Sequence, residues 1–252
     1  MAFNRKLKTI FGEIAELYEK SRPDYPKELF KDLIKISSIK KDSKILDVGC
    51  GSGKATIQFA NLGYNLIGLD ISRELIKIAK RNSTKNVKYV IGSFEKTKLP
   101  KNYFDLIISA QAFHWLNPEI AYFKSYNILR SKGYLIIFWN FQKYNNKPFL
   151  KSIRNLFKKE CPNFPTSKPH SIRKYKLKLK SAGFKAIKRK QYNRNIKYKK
   201  TDYLRFLESH SWVNSLEKNK KIRLLIKLNE ILDKQKEPLE IPIGTVVVIA
   251  KK

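Results

Sequence analysis

Asp47, Gly49, Gly51 and Gly53 fall at alternate positions in "ILDVGCGSGKATIQFANLGYNLIGLD", and Asp70 closes the same stretch. Glycines crowded into a turn after an apolar run let the backbone pass close beneath a ligand. An acid at the end of the next run offers two acceptor oxygens to a pair of hydroxyls. This is nucleotide-type chemistry, and its variants differ in spacing. A P-loop needs a glycine five residues before its Gly-Lys pair, and Ser or Thr after the lysine. Val48 stands at the first of these places and Ala55 at the second, so triphosphate binding fails twice. The dinucleotide fingerprint wants glycines at x, x+2 and x+5. Gly49 and Gly51 fit, but Lys54 takes the third place, which weakens a pyrophosphate reading without excluding it. What remains is the pattern D-x-G-x-G-x-G. Downstream, "AQAFHW" supplies Gln111, a neutral hydrogen-bonding amide, and His114, a side chain able to exchange a proton near neutral pH.

Short apolar runs must position these residues. Ile45–Gly49, Asn65–Asp70, Val87–Ile91, Phe104–Ser109 and Tyr134–Trp139 have strand character. They alternate with helical spacing near 54–62, 72–82 and 117–131, the last predicted to close on Gly133 as a C-cap. That alternation predicts an α/β fold with a parallel sheet, whose ligands meet its carboxyl edge. Residues 1–40 are expected to form two helices, with Phe11, Ile14, Ala15 and Tyr18 on one face of the first, broken by the prolines of "KSRPDYP". After Asn140 the pattern predicts helices at "KPFLKSIRNLFKKECP" and "SIRKYKLKLKSAGF" and a strand Phe184–Lys190. A helical block over 201–235 and a final strand Ile243–Ala250 complete it.

The D-x-G-x-G-x-G turn resembles motif I of class I S-adenosylmethionine-dependent methyltransferases. The resemblance continues through "GSFEKTKLPKNYFDLIISAQAFHWLNPE". "YEKSRPDYP", "AQAFHW" and the closing "PIGTVVVIAKK" are similar to the trans-aconitate methyltransferase-like branch. It implies a Rossmann-like, seven-stranded, mostly parallel sheet with helices on both faces and the last strand antiparallel. It also implies S-adenosylmethionine as cofactor and S-adenosylhomocysteine as product. The family pattern carries cofactor contacts onto Asp47, Gly49, Cys50, Gly51, Gly53, Asp70, Ile71, Ser93, Phe94 and Ala110. Asp47 would meet the ammonium directly or through water, and Asp70 the ribose hydroxyls. Ser93 stands where the family commonly has Asp for adenine, and Phe94 is either an adenine-packing ring or core. Tyr18 and Arg22 would fold over the cofactor, with Arg22 suited to a carboxylate on cofactor or substrate. Gln111 and His114 are the catalytic candidates on the acceptor side. No metal is needed for this chemistry.

The resemblance implies a single domain: helices 1–40 over the cofactor, a binding core 41–140, a basic and largely helical substrate-side region 141–240, and the last strand 241–252. The expected acceptor is a small molecule bearing a carboxylate or hydroxyl. A chain of 252 residues with 42% hydrophobic residues buries a sizeable core, so its +33 charge is not that of a disordered polycation. The charge is concentrated, with 20 Lys and Arg over 143–200 against one acid, Glu160. With Tyr175, Tyr192 and Tyr198 interspersed, this keeps RNA or DNA methylation as the alternative function. A protein that holds the cofactor without turnover is a third reading. No run reaches the length of a membrane span. Cys50 and Cys161 make neither a disulfide framework nor a zinc site and fit a reducing cytoplasm.

Overall fold

The computed structural model describes residues 14–165 and 172–252. In chain order the elements are α1 (Ala15–Ser21), α2 (Lys27–Ser37), β1 (Ile45–Val48), α3 (Thr56–Asn61), β2 (Leu66–Asp70), α4 (Arg73–Asn82), β3 (Val87–Ile91) and β4 (Phe104–Ala110). Then follow α5 (Pro118–Ile128), β5 (Leu129–Gln142), α6 (Pro148–Glu160), α7 (Ile172–Ser181) and β6 (Lys185–Tyr198). The chain ends with α8 (Lys200–Glu208), α9 (Ser211–Asn214), α10 (Lys218–Asp233) and β7 (Leu239–Lys251). The seven strands form one sheet in the order β3-β2-β1-β4-β5-β7-β6. β7 runs antiparallel to both its neighbours, and β1 to β5 are parallel.

Strand side chains alternate faces, so each central strand feeds two cores. Leu46, Ile107, Ile137 and Val248 face α5 and α7, while Ile45, Leu106, Ile136 and Val247 face α2 and α3. A third cluster packs α6, α8 and α10 over the start of β7, through Leu150, Phe157, Tyr203, Leu228 and Ile241. α1 lies against α4, where Ala15 and Tyr18 meet Leu75 and Ile78. Among the described residues no helix is long and apolar enough to cross a membrane.

Three expectations need correction, and one lies outside the described residues, namely Phe11. Gly133 does not cap a helix: α5 stops at Ile128 and Leu129 already pairs with Phe104 in the sheet. "SKG" forms an irregularity inside β5, with Lys132 at φ +65°, and a Cβ at Gly133 would lie 2.9 Å from the Arg130 carbonyl oxygen. The strand from 184 to 190 extends to Tyr198, so the 141–240 region includes a long strand beside its helices. The block 201–235 is three helices, interrupted around Ser209–His210 and Ser215–Glu217.

Candidate active site at the carboxyl edge of the sheet

The glycine turn leaves β1 and docks on β2 through Gly49 and Cys50, whose N–H groups both donate to the Leu69 carbonyl at 2.7 and 3.1 Å. Gly49 and Gly51 serve different purposes. At Gly49, with φ +68°, a Cβ would come within 2.3 Å of the Ala112 Cβ. That glycine lets the turn touch the loop after β4. At Gly51, with φ +55°, a Cβ would meet nothing nearer than Leu75 Cδ1 at 4.0 Å. Its backbone therefore faces open space, as a ligand cradle requires. Gly53 is hemmed in by the Tyr89 hydroxyl.

Asp47 is fully buried. Its Oδ2 accepts from Thr56 Oγ1 at 2.6 Å, and its Oδ1 has no partner. Burial raises its pKa to about 7, against the opposing Thr56 hydrogen bond, with Asp70 adding a smaller push upward. A buried carboxylate with one orphaned oxygen suits a cation arriving with the ligand. Asp70 holds the turn: its Oδ2 accepts from Gly51 N–H at 2.9 Å and its Oδ1 from Ser72 N–H at 2.8 Å. Beside it Ile71 is 46% exposed, an apolar face available to a flat ring. Cys50 is buried, and burial pushes its thiol well above the ordinary range. Ser93 Oγ accepts from Lys96 N–H at 3.2 Å. Phe94 is in the core at 2% exposure, with Lys124 Nζ 5.2 Å from its ring centroid, so it presents no face to an adenine.

Ala110 ends β4 half-buried, and Gln111 then adopts φ +60°, an uncommon conformation for a side chain of its size. Gln111 N–H donates to Phe138 O at 2.9 Å, and its Nε2 to Asn140 O at 3.0 Å. Asn140 in turn donates from Nδ2 to the carbonyls of Pro23 and Asp24, both at 3.2 Å, and accepts from Thr245 Oγ1 at 2.6 Å. It thereby ties the N-terminal segment over the sheet edge. Sequence reasoning missed it; the signal was a polar residue directly after the apolar run of β5.

His114 sits in a short helical turn, Phe113–Trp115. Its Nδ1 faces Trp139 Nε1 at 3.0 Å, and the indole is a donor only, so Nδ1 accepts and a neutral ring carries its proton on Nε2. The ring is exposed at its rim, yet the protein packed around it disfavours the cation and takes its pKa down to about 4. The basic nitrogen is occupied, which makes His114 a hydrogen-bond donor rather than a proton acceptor. Tyr18 packs on α4, next to the turn. Arg22 bridges α1 and α8: its guanidinium lies 5.2 Å from the Tyr18 ring centroid and 5.4 Å from that of Phe206, and its Nη2 donates to Ser209 O at 3.1 Å.

Comparison with known proteins places this architecture. Residues 46–137 match the methyltransferase domain family, and residues 5–81 match a family described as DNA methylase. An uncharacterised methyltransferase of Schizosaccharomyces pombe is 30% identical over 226 residues, 89% of this chain and 87% of its own. The chain spans about half the length of other curated relatives it matches. Among solved structures, Bacillus subtilis YcgJ superposes with a TM-score of 0.61 at 17% identity, over 90% of this chain and 99% of its own. Phosphoethanolamine N-methyltransferase 2 of Haemonchus contortus, in complex with phosphomonomethylethanolamine and S-adenosylhomocysteine, gives 0.59 at 15%, covering 100% of this chain and 60% of its own. The chain belongs to the methyltransferase family, and it is an enzyme of the class I, S-adenosylmethionine-dependent type.

Proposed function

We propose that this methyltransferase acts on a small molecule, with a carboxylate or hydroxyl as methyl acceptor. One observation carries that reading beyond the family. Asn140 holds Pro23 and Asp24 against the sheet edge beside Gln111, so the N-terminal segment crosses the edge on which a duplex would have to lie.

When bound, S-adenosylmethionine supplies a sulfonium-activated methyl group, and the rest of the chemistry is placement. The open backbone at Gly51 would hold the nucleoside and tail. Asp47 Oδ1, which has no partner in the protein, would receive the ammonium, directly or through one water. Asp70, already fixed by two backbone N–H groups, is the ribose acceptor, since each carboxylate oxygen can accept more than one hydrogen bond. The exposed side chain of Ile71 would hold the adenine, with Ser93 as a polar partner. Tyr18, on α1, closes the cofactor side. Gln111 and His114, in the loop after β4, orient the acceptor oxygen. Holding donor and acceptor in line contributes roughly 7–11 kcal/mol to such a transfer. A carboxylate acceptor is ionised at neutral pH and needs no base, which agrees with a histidine whose Nδ1 is taken by Trp139.

The test uses S-adenosylmethionine labelled in its methyl group, the purified chain and a host-like extract, followed by separation of small molecules, protein and nucleic acid. Label in the small-molecule pool is expected. Label in nuclease-sensitive material would overturn the small-acceptor reading. It would favour instead the exposed basic residues of β6, Arg189 and Lys197.

A further inference from the structure

A cavity of about 530 Å³ opens between the α1–α2 linker and the far end of β6. This is within the usual range for a small-molecule site. Arg22, Lys54, Arg194, Lys197 and Tyr198 line it, and Asp24 is its one acid. Asp24 is already engaged by Lys54, at 3.1 Å, and Lys54 also reaches Glu19 at 3.7 Å. The two arginines differ. Each donates to a backbone carbonyl, Arg22 to Ser209 and Arg194 to Asp24. Among the described residues neither forms an ion pair within 4.0 Å. Arg22 Nε, Arg194 Nε and the Tyr198 hydroxyl are all buried without a hydrogen-bond partner. Three orphaned donors on two guanidinium groups and a phenol, with no carboxylate in direct contact with either guanidinium among the described residues, are costly around one cavity unless an anion completes them.

We propose that this cavity binds the anionic group of the methyl acceptor, a carboxylate or phosphate gripped by Arg22, Arg194 and Tyr198. The inference rests on the small-acceptor reading above and names the chemistry of that acceptor. Guanidinium forks suit planar or tetrahedral oxyanions because several N–H donors reach two oxygens together. Location assigns the site to the acceptor rather than to the cofactor's own carboxylate. β6 is the rim strand on the side of the sheet away from β2 and β3, and it contributes Arg194, Lys197 and Tyr198 to the cavity. Lys54, directly after the glycine turn, reaches the same cavity from the other side, so an anion held here lies alongside the cofactor. Arg194 and Tyr198 also fall outside the 46–137 stretch common to the family, where acceptor selection is free to differ. The ring of Tyr198 is fixed by stacking on Phe206, with centroids 5.9 Å apart, so its hydroxyl is already placed.

Calorimetry on the full chain, saturated with S-adenosylhomocysteine and held at constant ionic strength, tests this with inorganic phosphate and malonate as probes. Saturable binding of at least one probe is expected. Arg194→Gln should weaken it tenfold or more, Arg194→Lys by an intermediate factor, and Tyr198→Phe, which keeps the stacked ring, several-fold. S-adenosylhomocysteine affinity should shift less than threefold in each, which also reports that the variants fold. Non-saturable binding, or an Arg194→Gln variant that binds the probes like wild type, would overturn the site. Competition between probe and S-adenosylhomocysteine would overturn the acceptor assignment and give the arginines to the cofactor's carboxylate. Label in nuclease-sensitive material in the transfer experiment removes the small-acceptor reading beneath; label in the small-molecule pool together with anions that do not bind removes only this inference.

Discussion

The orphaned oxygen of Asp47 makes a quantitative demand on the free protein. Its folded pKa of about 7 lies above the ordinary 3.8, so between those values the folded state holds a proton that the unfolded chain has released. Stability from this group is therefore present at low pH and is lost as pH rises through the window toward 7. Asp47→Asn removes the titration while keeping an oxygen that can accept from Thr56. The amide does place an N–H₂ group where Oδ1 was, and an unpaired buried donor costs about 1–3 kcal/mol at every pH. The pH-dependent part is separate from that constant. From pH 5 to pH 8 the wild type should lose about 2–3 kcal/mol relative to the variant, at 1.4 kcal/mol for each pH step below 7. Urea unfolding of the ligand-free proteins at pH 5, 6, 7 and 8 measures the difference directly. Contributions from other titrating groups cancel between the two curves. Parallel curves would refute the buried, partner-seeking carboxylate. Where the ammonium pairs with Oδ1, S-adenosylhomocysteine should also stabilise the wild type more than the variant at pH 8, with at least a tenfold affinity gap.

The two glycines of the turn should separate folding from binding. Gly49→Ala forces a Cβ against Ala112 and should cost about 2–5 kcal/mol in denaturant unfolding. Gly51→Ala should cost only about 1–2 kcal/mol for its left-handed backbone, yet weaken S-adenosylhomocysteine binding tenfold or more by calorimetry. The His114 imidazole should titrate far below its ordinary 6.5, near pH 4 by NMR, and turnover should show no inflection from this group between pH 6 and 8. Because its folded pKa is depressed, its stabilising contribution is present above 6.5 and fades as pH falls toward 4; an ordinary midpoint would refute the Trp139 arrangement. Cys50 and Cys161 are both buried with raised pKa values, so neither should react with Ellman's reagent until the chain unfolds.

The binding half of the sheet was legible because its apolar runs and glycine turn are local signals: β3 occurs at the expected Val87–Ile91, and β1, β2 and β4 within a residue of their expected ends. The failures share a cause, in that tertiary pairing overrode local pattern. "SKG" has the composition of a helix exit, yet β4 captures Leu129 and turns the segment into a strand irregularity. "NRNIKY" is too polar to signal a strand, but β7 pairs with it along its length. The site shows the same division. Asp47, the glycines and Asp70 sit close together in sequence, whereas Arg22, Asn140, Arg194 and Tyr198 converge only through folding. Phe94 was ambiguous from sequence because aromatic residues serve cores and ligands alike, and its burial decides for the core. His114 was found from sequence, but its donor role depends on Trp139, 25 residues away.

The length and charge of β6 have a consequence for how copies of this chain behave near one another. At the rim of the sheet, β6 has no strand partner on one side of its fourteen-residue backbone among the described residues, a template on which another extended chain can build. Lys185, Lys188 and Arg189 crowd its first half, all exposed, so a second copy aligning there would bring like charges face to face. Part of the basic surplus thus works as a guard against self-association. That guard is electrostatic and therefore conditional. Near 1 M salt, where charges are screened beyond about 3 Å, or under a coating polyanion, the rim becomes adhesive, and concentrated stocks of the protein should keep best in dilute buffer.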